Sequence, residues 1–166
     1  MKTLIIYYSD GGSTKIMART LSMHLKADII EIKDLKNRKG FANRFLSSVD
    51  AFRESKTKIS PSKLDLSNYD LIYIGTPTWA NKPAPAIITI VDNCNWKGKD
   101  VILFTTMSKE GSDEKTLERL EEKVYLRGGR VVNSFSLLTK DKSPEDIIND
   151  TEGLIQSLVL KMYSGA

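Results

Sequence analysis

The chain has 166 residues, 40% of them hydrophobic and 28% charged, with a net charge of +4, enough for one α/β domain over 1–166 with a continuous core. No apolar run approaches the about 18 residues of a membrane span, no signal-peptide pattern opens the chain, and a single Cys94 and a single His24 leave neither a disulfide nor a Cys/His metal cluster. The expectation is a cytoplasmic protein with no membrane insertion and no metal site, in which any electron chemistry runs on a bound organic cofactor.

The apolar run from Lys2 to Tyr8 predicts a strand buried on both faces. Residues 9–14, Ser-Asp-Gly-Gly-Ser-Thr, then turn tightly into a helix over 13–26, whose inward side is Ile16, Met17, Thr20, Leu21 and 23–25. Gly11 and Gly12 permit positive φ and close approach of a ligand. Ser9, Ser13 and Thr14 add hydroxyls beside the free N–H groups of the helix start. This loop suits a phosphate monoester without a metal. Lys15 could add attraction, whereas Asp10 should point outward, since a carboxylate facing a phosphate would repel it. Neither G-x-x-x-x-G-K-[ST] nor G-x-G-x-x-G occurs, which removes the P-loop and dinucleotide readings.

Ile29 to Lys33 reads as the second strand, and Phe41, Ala42, Phe45, Leu46, Val49 and Phe52 recur at helical spacing over 41–55. From Lys33 to Lys63, nine Lys and Arg stand against Asp34, Asp50 and Glu54, so the chain's positive excess is local. No aromatic-interleaved or recognition-helix pattern accompanies it, so no nucleic acid is expected and a solvated basic face is the simpler reading. Ser60-Pro-Ser reads as a turn. Leu71 to Gly75 is the third strand, followed by the polar segment Thr76, Pro77, Thr78, Trp79, Ala80, Asn81. Pro83 and Pro85 stiffen the entry to a helix through Val91.

Trp96-Lys-Gly-Lys turns the chain into a fourth strand, Val101 to Phe104, and a third polar loop over 105–112 carries Thr106, Met107, Ser108, Lys109 and Gly111. Ser112 or Asp113 caps a helix to Leu126, Gly128-Gly129 ends it, and Arg130 to Leu138 is the fifth strand. Ser143-Pro-Glu-Asp opens the last helix, with Ile147, Ile148, Leu154, Ile155, Leu158 and Leu160. Trp96 reads as structural, Cys94 as an inert thiol and His24 as an ordinary boundary residue. Five alternations of strand and helix predict a doubly wound parallel sheet with helices on both faces. The three polar loops then converge outside the carboxyl ends of its strands.

Together, Tyr8-Ser-Asp-Gly-Gly-Ser-Thr14, Gly75-Thr-Pro-Thr-Trp79 and the Ser108 to Ser112 loop resemble the three FMN-binding loops of the flavodoxin family, over nearly the whole chain. The family's first loop usually reads S/T-x-T-G-x-T, and Gly11 stands here where a threonine is common. The resemblance implies a five-stranded flavodoxin-like sheet of order 2-1-3-4-5 and FMN as cofactor, with no catalytic residue assigned. The phosphate would lie in Ser9, Asp10, Gly11, Gly12, Ser13 and Thr14. The ring would lie between Thr76 to Asn81, with Trp79 stacked on it, and the loop of Thr106, Met107, Ser108, Lys109 and Gly111.

Electron transfer with a redox partner protein follows as the implied function. An FMN-dependent NAD(P)H reductase acting on a quinone or similar acceptor, and a non-enzymatic binding module with a degenerate flavin site, stay open beside it. Compact loops favour a carrier, while the basic balance argues the other way, since carriers of this family are usually acidic; if the basic segment steers a partner, that partner is acidic. Family members commonly carry a glycine beside the flavin N5 whose peptide flips on reduction. Residues 76–83 have none, which predicts weak accumulation of one-electron-reduced flavin. The oligomeric state is not legible.

Overall fold

A computed structural model describes residues 1–36 and 56–163, with side chains through 158; the helix expected over 41–55, most of the basic segment and the Leu160 side chain lie outside the described residues. The main sheet is built from β1 (Thr3–Tyr7), β2 (Asp28–Glu31), β5 (Leu71–Trp79), β7 (Asp100–Met107) and β8 (Arg130–Leu138), in the order β2-β1-β5-β7-β8. All four neighbouring pairs are parallel. Counted as main strands, this is the expected order 2-1-3-4-5.

The strands form because their apolar runs are covered on both faces. Alternate residues of β1 point to opposite sides, so Leu4 and Ile6 join one core with Ile72, Ile74 and Leu103, under α2 (Pro85–Asn93) and α3 (Asp113–Leu126). Ile5 and Tyr7 join the other with Tyr73 and Phe104, under α1 (Ser13–Leu25) and α4 (Pro144–Tyr163). Trp96 is fully buried in the first core, and its indole N–H donates to the Val91 carbonyl at 2.8 Å, which is the structural role expected of it.

Several local expectations are corrected. The third strand continues past Gly75 to Trp79, because Thr76 and Pro77 pair with Thr105 and Thr106 on β7. It then folds back as a hairpin onto β6 (Lys82–Pro83) through a two-residue turn at Ala80 and Asn81. Both turn residues are left-handed, with φ of 49° and 61°, the backbone that matches the twist of such a hairpin. The fourth strand likewise runs to Met107. The second strand ends at Glu31, and β3 (Lys33–Asp34) pairs antiparallel with β4 (Ile59–Ser60), after which the chain bends at Pro61 and Ser62 within the expected turn.

Met23 is 80% exposed rather than inward: it lies about 200° around α1 from the buried Leu21, on the opposite side from the core. Ser112 occupies the N-cap position of α3, as expected, but no side-chain cap bond forms. The Ser112 hydroxyl donates to the Lys109 carbonyl at 2.6 Å, and the Asp113 carboxylate accepts from the Ser136 hydroxyl at 2.6 Å. At α4, Ser143 and Asp146 exchange reciprocal bonds of 3.1 Å, a capping box that fixes the helix start.

Candidate functional site

The carboxyl ends of β1, β5, β7 and β8 open on a cleft of about 400 Å³. The loop after β1 contributes Asp10, Gly11, Ser13 and Thr14; β5 contributes Pro77, Thr78 and Trp79; β7 and the loop after it contribute Thr106, Met107 and Ser108. The three segments singled out by sequence do converge. Among the described residues no three His, Cys, Asp or Glu gather as a metal site, and no helix is long and apolar enough to cross a membrane.

The first wall is the start of α1. Gly12 is its N-cap, with φ of 96°, and accepts from the Ile16 N–H at 3.0 Å, so the position requires glycine. Gly11, expected to share that conformation, does not have positive φ. A Cβ built on either glycine meets nothing within 4 Å, so the space over the loop is open to a ligand. A helix leaves its first N–H groups without an intrahelical partner. The Ser9 hydroxyl takes the one of Lys15 at 3.2 Å, and those of Ser13 and Thr14 remain as donors for an anion, aided by the helix dipole.

Thr14 itself plays a different part from the one expected. Its hydroxyl is buried and hydrogen-bonded to the buried Thr106 hydroxyl at 2.8 Å, which ties the first loop to β7. Lys15 pairs with Glu31 at 3.7 Å and does not line the cleft. Asp10, expected to point outward, is an exposed residue of the cleft wall and, among the described residues, the one charged side chain lining it. An anion held here is therefore bound by neutral donors and the helix N-terminus.

The second wall is the end of β5. Trp79 packs edge-on against Tyr8, with ring centroids 5.6 Å apart and planes at 89°, which fixes the indole at the cleft. Thr78 is anchored to Thr105 by a hydroxyl pair at 2.8 Å. Thr76, expected at the ring, is fully buried. Its hydroxyl accepts from the Ala84 N–H at 2.9 Å and donates to the Pro77 carbonyl at 2.8 Å, and it does not reach the cleft.

Four more expected residues stand beside the cleft rather than in it. Asn81, Lys109 and Gly111 line an adjoining groove of about 250 Å³, and Ala80 lines another along α3. Ser9, whose hydroxyl accepts from the Lys15 N–H, and Gly12, the N-cap of α1, do not line the cleft. Thr139 is a lining residue that the sequence reading missed; its N–H and hydroxyl both donate to the Met107 carbonyl, at 2.8 and 3.3 Å. Its position one residue beyond a strand adjacent to β7 was the available signal.

The flavodoxin family model matches residues 2–147. A flavoprotein in complex with FMN from Lactobacillus acidophilus NCFM is 27% identical, with 81% of this chain and 92% of that one covered and a TM-score of 0.68. A candidate flavoprotein from Bacteroides uniformis ATCC 8492 is 25% identical over 91% and 97%, with a TM-score of 0.73. Oxidised flavodoxin 1 from Bacillus cereus, 20% identical over 94% and 98%, shares the fold at a TM-score of 0.54. No curated protein sequence matches. With its sheet order and with a family model that spans all five main strands, the chain belongs to the flavodoxin family.

Proposed function

We propose that the cleft binds FMN and that the protein carries electrons to and from a protein partner. The observation that carries this reading is the meeting, in one cleft, of the α1 N-terminus with an indole on β5. The Ser13 and Thr14 N–H groups and the Ser13 hydroxyl suit a phosphate, and Trp79 offers an aromatic face for a flat ring. The FMN complex of the Lactobacillus relative supports the same ligand. Bound FMN would supply reversible one- and two-electron chemistry. This chain's part is to hold the phosphate, cover one face of the ring with Trp79 and narrow the access of water between the strand ends. Of the open alternatives, the hairpin and the 108–112 loop leave short walls, which favours an electron carrier over an enzyme with its own substrate pocket.

The basic segment over 33–63 suits an acidic partner, drawn in by complementary charge. Titration of the apoprotein should show FMN binding more tightly than riboflavin; equal affinities would remove the phosphate reading. Absorption during stepwise chemical reduction, with and without NAD(P)H, then separates the classes. Rapid bleaching by NAD(P)H alone would overturn the carrier in favour of the reductase. A transfer rate that does not fall with salt, which screens charge over about 8 Å at physiological strength, would remove the acidic partner.

A further inference from the structure

The opposite end of the sheet carries a second cavity, of about 740 Å³, between the segment that leads into β5 and the turn that leads into β7. Three lysines line it, Lys63, Lys97 and Lys99, against one carboxylate, Asp65. That carboxylate is already engaged, accepting from the Ser67 N–H at 3.0 Å. Three other cations at this end are paired: Lys2 with Asp28 at 3.6 Å, Arg127 with Asp92 at 3.9 Å, and Arg130 with Asp100 at 2.9 Å. Lys63 and Lys97 have no such partner among the described residues. The Lys99 ammonium donates to the Tyr69 carbonyl at 2.8 Å and also acts on Asp65, whose carboxyl is held below its ordinary value by Ser67 and, more weakly, by this ammonium, so three positive charges face one negative charge here.

A concave site with a net positive charge, three ammonium groups against one carboxylate, calls for a multiply charged anion, and lysines act on phosphates as point charges. The volume is that of a small-molecule pocket, which favours a compact ligand over a protein surface. We propose that this cavity binds a phosphate chain, free or carried on a nucleotide, through Lys63, Lys97 and Lys99. Leu64 and Leu66 form the apolar part of the wall, and the Asn95 side chain already holds the Lys97 N–H at 3.1 Å, which fixes the turn that presents Lys97. This site is independent of the FMN cleft and lies at the far end of the strands from it.

The test is a titration of isotope-labelled, FMN-saturated protein with sodium tripolyphosphate, metal-free ATP or adenosine, read by amide chemical shifts. Tripolyphosphate and ATP should move the amides of 63–67 and 95–99, whereas adenosine should not. The Lys63→Gln/Lys97→Gln variant should weaken both by about tenfold and leave the FMN titration unchanged. Equal affinities for tripolyphosphate and ATP identify a free phosphate chain, and tighter ATP identifies a nucleotide. The proposal is overturned if those amides do not move, if shifts are confined to residues 9–14, if adenosine binds as well as ATP, or if the variant binds as the wild type does. Because the amides report position, a failure here is distinct from failure of the FMN reading.

Discussion

Gly75→Ala tests how tightly the cleft depends on the sheet beneath it. Gly75 faces Phe104 across the β5–β7 register, and a Cβ there would overlap the Cζ and Cε2 atoms of that ring and lie 2.8 Å from its Cε1. Carbon contacts favour about 3.5 to 4.0 Å, so the ring must move. It has little room, being fully buried and stacked on Phe135 at 5.8 Å and 11°. Overpacking of this kind costs about 1–3 kcal/mol, and the Phe135 stack puts the expected loss near the upper end, about 2–3 kcal/mol. Urea denaturation followed by circular dichroism should show a lower midpoint with an unchanged slope. In the double variant Gly75→Ala/Phe104→Leu, the smaller side chain makes room, so the two losses should fall short of additivity by about 1–2 kcal/mol. FMN affinity should follow the same order, since Thr106 stands two residues beyond Phe104. A loss below about 0.5 kcal/mol for Gly75→Ala, or strict additivity, would refute the clash as its cause.

Thr106→Val removes one member of the buried Thr14–Thr106 hydroxyl pair and strands the other, at a cost of about 1–3 kcal/mol in urea denaturation together with weaker FMN binding; an unchanged midpoint would show that the pair is dispensable. The Arg130 guanidinium beside Asp100 holds that carboxyl below its ordinary value of 3.8. A depressed folded-state pKa contributes stability above the unfolded value, which is lost as pH falls through the folded one. Wild type and Arg130→Gln should therefore differ slightly at neutral pH and converge in thermal denaturation as the pH drops below 3.8; a constant gap would count against the linkage. Ala80→Gly should leave the unfolding free energy from urea denaturation unchanged or raise it by up to about 1 kcal/mol, because relief of the left-handed strain outweighs or balances the added freedom of the unfolded chain, whereas Ala80→Val should destabilise; the reverse order would refute a left-handed turn.

The strand starts were legible because β1, β5 and β7 are buried on both faces, which leaves unbroken apolar runs with one reading. Their ends were not, because Thr76 to Trp79 and Thr105 to Met107 are polar in composition and read as loops. What makes them strand is each other. Thr76 pairs with Thr105, and buried hydroxyls are absorbed by bonds such as Thr105 Oγ1 to the Thr76 carbonyl at 2.7 Å, a partnership invisible to a window along one segment. Threonine's β-branched preference for strands was the signal available there. The left-handed turn at Ala80 and Asn81 was missed for a related reason: the sequence has no glycine at that point, and the hairpin register imposes the conformation.

This difference changes how the cleft works. Were Thr78, Trp79 and Thr106 on loops, binding would have to order them, at about 1–2 kcal/mol of backbone entropy per residue. Placed on strand ends and tied by the Thr14–Thr106 and Thr78–Thr105 pairs, they are ordered before a ligand arrives. Among the described residues that line the cleft, those on strand ends need no ordering, so most of their contact free energy with a bound cofactor is available as affinity. A carrier needs that arrangement, because its cofactor must stay bound while partners come and go.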